Sequence, residues 1–149
     1  MTTRQRPANI LLVEDNEGDV ALTRLALKNA KFKGNLQVVQ DGDTALDYLL
    51  KADGFENATT PDIILLDLNL PGTDGKEVLE SLKAHDKLKR IPVIVLTSSS
   101  AERDILDSYN RHANCYIVKP PDAPTFMHVG DQIQDFWTNT ACLPSCVNE

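Results

Sequence analysis

Five short apolar runs alternate along the chain with longer segments in which apolar residues recur at helical spacing. The runs cover residues 10–13, 36–39, 63–66, 93–96 and 116–118. Four of them are continuously apolar, which is typical of strands buried on both faces of a parallel sheet, because half-exposed strands alternate. The second run contains Gln37 and is therefore expected at an edge of the sheet.

The segments between and after the runs each predict an amphipathic helix. Asn16 and Asp122 are predicted helix caps, and Ser99 with Glu102 has the spacing of a capping box. Five alternations of strand and helix predict a doubly wound α/β domain, with helices on both faces of a parallel sheet. The predicted apolar helix faces are Leu22, Leu25 and Ala26; Ala45, Leu46, Leu49 and Leu50; Gly75, Val78, Leu79 and Leu82; Ile105, Leu106 and Tyr109; and Phe126, Val129, Ile133, Phe136 and Trp137.

Length and composition fit one globular domain of 149 residues, of which 42% are hydrophobic. The 22 acidic residues outnumber the 15 Lys and Arg, so the surface would repel nucleic acid and anionic membranes. One basic cluster, formed by Lys83, Lys87, Lys89 and Arg90, is predicted to be a solvated helix end and loop. Residues 1–7 are polar and precede only a short apolar run, so we expect no signal peptide, no membrane span and a cytoplasmic protein.

The three cysteines are Cys115, Cys142 and Cys146, and the last pair lacks the further Cys or His ligands of a zinc site. We interpret them as reduced thiols. A regulatory disulfide between Cys142 and Cys146 is the alternative.

Polar residues follow four of the five predicted strands directly. Glu14 and Asp15 follow the first strand, Asp67 the third, Thr97 the fourth and Lys119 the fifth. Ligands of open α/β sheets bind beyond the carboxyl ends of the strands, so we expect these side chains to form one site.

Three carboxylates this close together would repel one another unless a cation lies among them. Mg²⁺ is the expected ion, because it binds one or two carboxylates, keeps several waters and accepts phosphate oxygens. Asp15 and Asp67 are predicted direct ligands. Glu14 would act mainly through a water, and the backbone carbonyl of Asn69 could complete the set.

A carboxylate beside such a metal can act as a nucleophile toward a phosphoryl group and form an acyl phosphate. Asp67 has the central position for this role. Lys119 would pair with one phosphoryl oxygen and Thr97 would donate its hydroxyl to another, because phosphoryl transfer depends on positioning and positive charge.

The motifs around these residues resemble the receiver domains of two-component response regulators over about residues 8–137. The resemblance implies a sheet order of 2-1-3-4-5, a phosphoacceptor at Asp67, a metal pocket at Glu14 and Asp15, and phosphoryl binding by Thr97 and Lys119. It rests on Leu11-Leu12-Val13-Glu14-Asp15, Leu65-Leu66-Asp67-Leu68-Asn69-Leu70-Pro71, Asp74-Gly75, Val95-Leu96-Thr97-Ser98 and Tyr116-Ile117-Val118-Lys119-Pro120.

The same resemblance implies a switch in which Thr97 moves toward the phosphoryl group and Tyr116 turns inward behind it. It also predicts a cis Lys119–Pro120 bond. Pro121 stands where the family frequently has an aromatic residue, so the start of the last helix could be displaced.

A narrower resemblance links the chain to the small response regulators that serve bacterial and cyanobacterial phytochromes. It rests on residues 66–71, 114–116, 136–138 and 143–144. It implies a light-regulated sensor histidine kinase as partner and a homodimer formed through the C-terminal segment. We therefore expect a receiver domain at residues 8–138, a C-terminal tail at 139–149, no output domain, and no enzymatic activity beyond self-catalysed phosphorylation and dephosphorylation.

Two alternatives remain. A pseudo-receiver would keep the fold as an interaction scaffold without phosphorylation. A haloacid-dehalogenase-type phosphatase also uses an aspartate nucleophile with Mg²⁺, but that chemistry needs a second carboxylate two residues after Asp67, where this chain has Asn69.

Overall fold

Strands and helices alternate from the first described strand to the end of the fold, and the computed structural model describes residues 7–144. The elements are β1 Ala8–Val13, α1 Glu17–Asn29, β2 Gly34–Val39, α2 Gly42–Leu50, β3 Ile63–Leu66, α3 Gly75–Ala84, a 3₁₀ turn Leu88–Arg90, β4 Val93–Thr97, α4 Glu102–Asn110, β5 Cys115–Val118, α5 Ala123–Ile133 and a π-helical segment Gln134–Thr140.

The five strands form one parallel sheet in the order β2-β1-β3-β4-β5, which confirms the predicted fold and strand order. Val13 pairs with Val39 on one side and Leu66 on the other, while Leu66 pairs with Val95. All carboxyl ends therefore meet at one edge of the sheet. β2 is an edge strand, as Gln37 predicted.

Two hydrophobic layers cover the sheet because successive side chains of each strand point to opposite faces. Ile64 and Leu66 of β3 pack on the side of α2 and α3. Ile63 and Leu65 pack on the side of α1 and α5. The α1 and α5 helices approach closely, since a Cβ added at Gly130 would lie 2.7 Å from Ala26.

Parts of the fifth run and of four predicted helix faces are wrong, since Leu50 of α2 and Phe136 after α5 are each 52% exposed in addition to the residues that follow. The fifth run is not buried on both faces, because β5 forms the second edge of the sheet and Val118 is exposed. Leu25 lies outside the buried face of α1. In α4, Leu106 is 62% exposed and Tyr109 is also exposed, because this helix covers the edge strand and buries only Ser108.

The predicted caps at Asn16 and Asp122 are confirmed, since their side chains accept hydrogen bonds from the backbone of Asp19 and Thr125. The capping box is wrong. Helix α4 begins after Ala101 without a side-chain cap.

The predicted cis bond before Pro120 is also wrong, since no peptide bond among residues 7–144 is cis. The trans bond does not prevent Lys119 from reaching the Asp67 carboxylate. The α5 helix begins at Ala123, two residues after Pro121, with Asp122 as its cap.

The predicted basic cluster is only partly solvated. Lys83 is half-buried, and its ammonium donates to the carbonyls of Lys89 and Ile91 and to the side chain of Asn114. Within the described residues, no helix has both the length and the apolar character needed to cross a bilayer. Cys115 and Cys142 are free thiols, whereas Cys146 lies outside the described residues.

Candidate functional site

Asp67 follows β3 directly and is buried at the carboxyl edge of the sheet. Its backbone N–H donates to the carbonyl of Val13, which continues the β1–β3 ladder by one residue. Oδ1 accepts hydrogen bonds from Thr97 Oγ1 at 2.9 Å and from the backbone N–H of Asn69 at 3.1 Å. Oδ2 accepts one from Lys119 Nζ at 2.9 Å. The two oxygens therefore have different donors.

The Lys119 ammonium lies among three carboxylates. Nζ is 2.5 Å from Glu14 Oε1, 2.8 Å from Asp19 Oδ2 and 2.9 Å from Asp67 Oδ2. Burial works against the lysine charge, but the hydrogen bonds to Asp19, Glu14 and Asp67 hold the Lys119 pKa above its usual range. The lysine is therefore a fixed cation at this site.

Glu14 is a buried carboxylate, with a side chain only 3% exposed. Its backbone N–H donates to the carbonyl of Val39, and Oε2 accepts from the backbone N–H of Asn16. Burial raises the pKa of Glu14 to about 7, even though the hydrogen bond from Lys119 acts in the opposite direction. Crowding with Asp67 adds to the rise.

Asp67 responds differently to the same surroundings. Burial by itself would raise its pKa, but the hydrogen bonds from Lys119 and from the backbone of Asn69 lower it below the ordinary value. Asp67 is therefore an anion at neutral pH, as a nucleophile must be.

The acidic cluster fits a hard divalent cation. Glu14, Asp15 and Asp67 each offer an oxygen, and these oxygens lie within 4.8 Å of one another. Asp15 is exposed while the other two are buried, so an ion would be reached from solvent past Asp15. Carboxylate oxygens with room for water are the ligands that Mg²⁺ and Mn²⁺ prefer.

A solvent cleft of about 570 Å³ adjoins the acidic cluster. Asp15, Asn69, Pro71, Lys76 and Asp104 are among the residues that line it. A phosphoryl donor could reach the site through this opening.

The start of α3 presses against the back of the Asp67 loop. A Cβ added at Gly75 would lie 2.4 Å from the carbonyl oxygen of Asp67 and 2.5 Å from Leu68 Cα. Only glycine allows this approach. Asp74 caps the helix in a capping box with Glu77, which fixes where α3 begins.

A polar network extends from Thr97 toward α4. Thr97 is fully buried, and the Tyr116 hydroxyl donates to the carbonyl of Ser99 in the β4–α4 loop. The Ser99 hydroxyl donates to Asp104, which also pairs with Lys76 of α3 at 2.7 Å. The loop after β4 is thus bonded to β5 and α4, and α4 is bonded in turn to α3.

The five residues predicted from successive strand ends lie together: Glu14, Asp15, Asp67, Thr97 and Lys119. Their chemical roles stay predictions, as does the role of the Asn69 carbonyl. Sequence reasoning missed Asp19, whose carboxylate pairs with Lys119.

Asp19 looked like an ordinary acidic residue in the first turn of a helix. The available signal was its position three residues after the cap Asn16, which itself comes soon after the end of a central strand. A side chain at this position lies beside the carboxyl edge of the sheet.

Comparison with known proteins gives a consistent result. Residues 10–129 match the family model described as the response regulator receiver domain. The chain is 42% identical over 139 residues to the response regulator Rcp1 of Synechocystis sp., covering 93% of this chain and 95% of that protein.

Solved structures agree with this. The phosphorylated cyanobacterial phytochrome response regulator RcpA superimposes with a TM-score of 0.90 at 45% identity, covering 93% of this chain and 99% of that one. The Mn²⁺-bound form of Rcp1 superimposes with a TM-score of 0.88 at 42% identity, with the same coverage. The chain thus belongs to the response regulator receiver domain family and is related to the phytochrome response regulators.

Proposed function

We propose that Asp67 accepts a phosphoryl group from a phosphohistidine of a sensor histidine kinase. The observation that carries the proposal is the division of donors over its carboxylate, with Thr97 on one oxygen and Lys119 on the other. A buried, anionic carboxylate with a fixed ammonium and a hydroxyl beside it has the parts needed to hold a phosphoryl group. The alternatives have no comparable support.

In the proposed reaction an Asp67 oxygen attacks phosphorus, and the bond from phosphorus to the donor nitrogen or oxygen breaks. Charge on the phosphoryl oxygens must then be balanced. Lys119 would pair with one oxygen, and Thr97 would turn its hydroxyl from Asp67 to another. Both groups are already within hydrogen-bond distance of the attacking carboxylate.

We further propose that Mg²⁺ is the resident ion, held by Asp15, Asp67 and the Asn69 carbonyl, with Glu14 acting mainly through a water. When bound, the ion would neutralise a phosphoryl oxygen and the repulsion within the acidic cluster. The compact set of carboxylate oxygens supports this, and Mn²⁺ in the related Rcp1 is in line with it.

Intact-protein mass after incubation with acetyl phosphate tests the phosphoacceptor. We expect one added phosphoryl group that requires both Mg²⁺ and Asp67. Asp67→Asn keeps the size of the side chain and should gain no mass. Asp86→Asn changes an acidic side chain that is 98% exposed in the loop after α3, at the opposite edge of the sheet, and should be phosphorylated like the wild type.

If Asp67→Asn is modified as well as the wild type, the acceptor is another residue. If no mass is added to a folded wild-type protein by acetyl phosphate or by a phosphorylated kinase, the pseudo-receiver alternative replaces this proposal. Repeated turnover of small phosphate esters would instead support a phosphatase.

The partner kinase is proposed to be of the phytochrome type. The support is the relation to Rcp1 and to the phytochrome response regulator RcpA over nearly the whole chain. Phosphotransfer from an autophosphorylated phytochrome kinase should be complete well before transfer from a histidine kinase of another sensory class. Equal rates from both kinases would contradict the phytochrome assignment.

The chain is proposed to act as a signalling protein and not as an enzyme, with the receiver domain at residues 8–138 and an appended segment at 139–149. The signal would pass through protein contacts, with Thr97 and Tyr116 as the switch pair and a homodimer as the proposed assembly. Phe136 is exposed and its ring lies 5.1 Å from that of half-buried Trp137, which gives the C-terminal segment an apolar surface for such a contact.

A further inference from the structure

A second cleft lies at the edge of the sheet opposite to Asp67. Its volume is about 750 Å³, and it is formed where the amino ends of β1, β3 and β4 meet the end of α2 and the loop after α3. Leu49, Leu88 and Ile91 are buried residues at its base. Nothing in the proposed phosphoryl chemistry uses this cleft.

The rim of the cleft is basic although the whole chain is acidic. Three cationic side chains, those of Lys51, Lys87 and Arg90, line it against one carboxylate, that of Asp62, and Lys51 and Lys87 are exposed. The formal net charge of the chain is -7, so a local group of cations is not a consequence of composition. Such a rim favours an occupant that carries negative charge.

The C-terminal segment reaches this cleft. Leu143 is buried in the hydrophobic layer formed with α1 and α5, and the next residue, Pro144, lines the cleft. The chain therefore enters the cleft at a fixed point. The next residues in the sequence are Ser145, Cys146, Val147, Asn148 and Glu149.

We propose that residues 145–149 dock in this basic cleft of their own chain. Five extended residues span about 17 Å, at roughly 3.4 Å per residue, so Glu149 can reach the rim from Pro144. Val147 would contact the apolar base and Glu149 would pair with the rim cations. Docking holds the C-terminal segment on the loops before β3 and β4.

Other occupants fit less well. Residues 1–6 contain Arg4 and Arg6 and no acidic residue, so the rim would repel them. The same segment of a second copy has the right charge, but the segment already tethered at Pro144 has a much higher effective concentration at the cleft. The experiment below distinguishes these cases.

Disulfide trapping with the native Cys146 tests the proposal. In a Cys115→Ala, Cys142→Ser background, Cys146 is the one remaining native thiol. Thr60→Cys then adds a thiol in the cleft, and the control carries Val147→Ser and Glu149→Lys in the same chain, so that the tether at Pro144 is unchanged. Glutathione disulfide is the oxidant. The two protein thiols form a disulfide and lose two electrons and two protons, and glutathione disulfide takes these up to give two molecules of glutathione.

Intact mass and non-reducing electrophoresis at low protein concentration give the result. We expect the intramolecular disulfide of the Thr60→Cys chain to form about tenfold faster than in the same chain with Val147→Ser and Glu149→Lys, because these changes remove the proposed docking contacts and leave the tether at Pro144 unchanged. Equal rates in the two variants overturn the proposal. Disulfide-linked dimers without the intramolecular product also overturn it, because the occupant is then a second copy.

A charge exchange gives an independent test. Glu149→Lys should slow intramolecular trapping several-fold, and adding Lys87→Glu in the same chain should restore it. An unchanged rate in Glu149→Lys overturns the pairing with the rim.

Leu50→Cys is a second trapping position in the cleft if the Thr60→Cys protein does not fold. Acetyl phosphate labelling should be unaffected in every variant, so failure here is separate from failure of the phosphoacceptor proposal.

Discussion

Lys119 Nζ lies 2.9 Å from Asp67 Oδ2 and also forms ion pairs with the Glu14 and Asp19 carboxylates. The ammonium therefore supplies the positive charge that a crowded, buried carboxylate cluster needs. An incoming phosphoryl group would compete with these carboxylates for the same lysine. The stability of the site and its proposed reactivity consequently depend on one side chain.

Replacing Lys119 with alanine should destabilise the protein most when divalent cations are absent. The change leaves buried carboxylates without their cation, which costs about 3–5 kcal/mol. Mg²⁺ should restore part of the lost free energy of unfolding, because it binds the same carboxylates. Urea unfolding in EDTA and in Mg²⁺ measures both effects.

The matched control is Lys28→Ala, which removes an exposed lysine from the last turn of α1. It should change the free energy of unfolding by less than about 0.5 kcal/mol. An unchanged unfolding midpoint for Lys119→Ala in EDTA would show that the ammonium is not needed to balance the cluster.

Mg²⁺ binding should strengthen as the pH rises from 6 to 8. Glu14 has a pKa raised to about 7 in the metal-free protein, so below this pH the ion must displace a proton. Above it, the carboxylate is already ionised. Affinity at pH 6 should be roughly tenfold lower than at pH 8, from one proton released per ion.

Isothermal titration calorimetry in two buffers of different ionisation enthalpy measures both affinity and proton release. Glu14→Gln should bind more weakly and with little dependence on pH over this range. Release of a proton by Glu14→Gln equal to that of the wild type would assign the titration to another group.

Replacing Gly75 with alanine should disturb the Asp67 loop. The added Cβ would lie 2.4 Å from the Asp67 carbonyl oxygen, so either α3 or the loop must shift. Overpacking of this kind costs about 1–3 kcal/mol. The midpoint temperature of thermal unfolding and the rate of labelling by acetyl phosphate should both fall. Wild-type values for both would mean that the structure accommodates the added Cβ without loss of stability or reactivity.

Truncating Leu143 should destabilise the domain although it lies beyond the last helical segment. Its side chain packs in the layer between the sheet and the helices α1 and α5, and Leu143→Ala should cost about 2–4 kcal/mol. Leu106→Ala is the matched control, because this leucine is 62% exposed. Chemical denaturation compares the two, and equal small effects would mean that burial of the Leu143 side chain does not stabilise the fold.

The central strands could be predicted from sequence because each is a continuous apolar run. A residue such as Ile64 or Leu65 is buried whichever face it points to, so no tertiary information was needed. The caps Asn16 and Asp122 are equally local, since each accepts a hydrogen bond from the backbone three residues later. The capping box at Ser99 failed because helix α4 begins only at Glu102, and the Ser99 hydroxyl oxygen accepts from the backbone N–H of Ala101 instead.

The burial of α4 could not be predicted in the same way. Ile105, Leu106 and Tyr109 have helical spacing, but periodicity indicates only that a face is apolar. Whether it is covered depends on how much sheet lies beneath it, and here α4 lies over a four-residue edge strand. Likewise, Lys83 has no local feature that distinguishes it from a solvated lysine, and its partners lie up to 31 residues away.

The sequence by itself determined the alternation of strands and helices, the parallel sheet and the convergence of Glu14, Asp67, Thr97 and Lys119. These follow from local periodicity and from the rule that parallel strands end at one edge. Only the tertiary structure decided that Lys119 also pairs with Asp19, that Glu14 has a raised pKa and that Pro144 enters a basic cleft. Distances and burial arise from contacts between residues as many as 105 positions apart, and no local pattern encodes them.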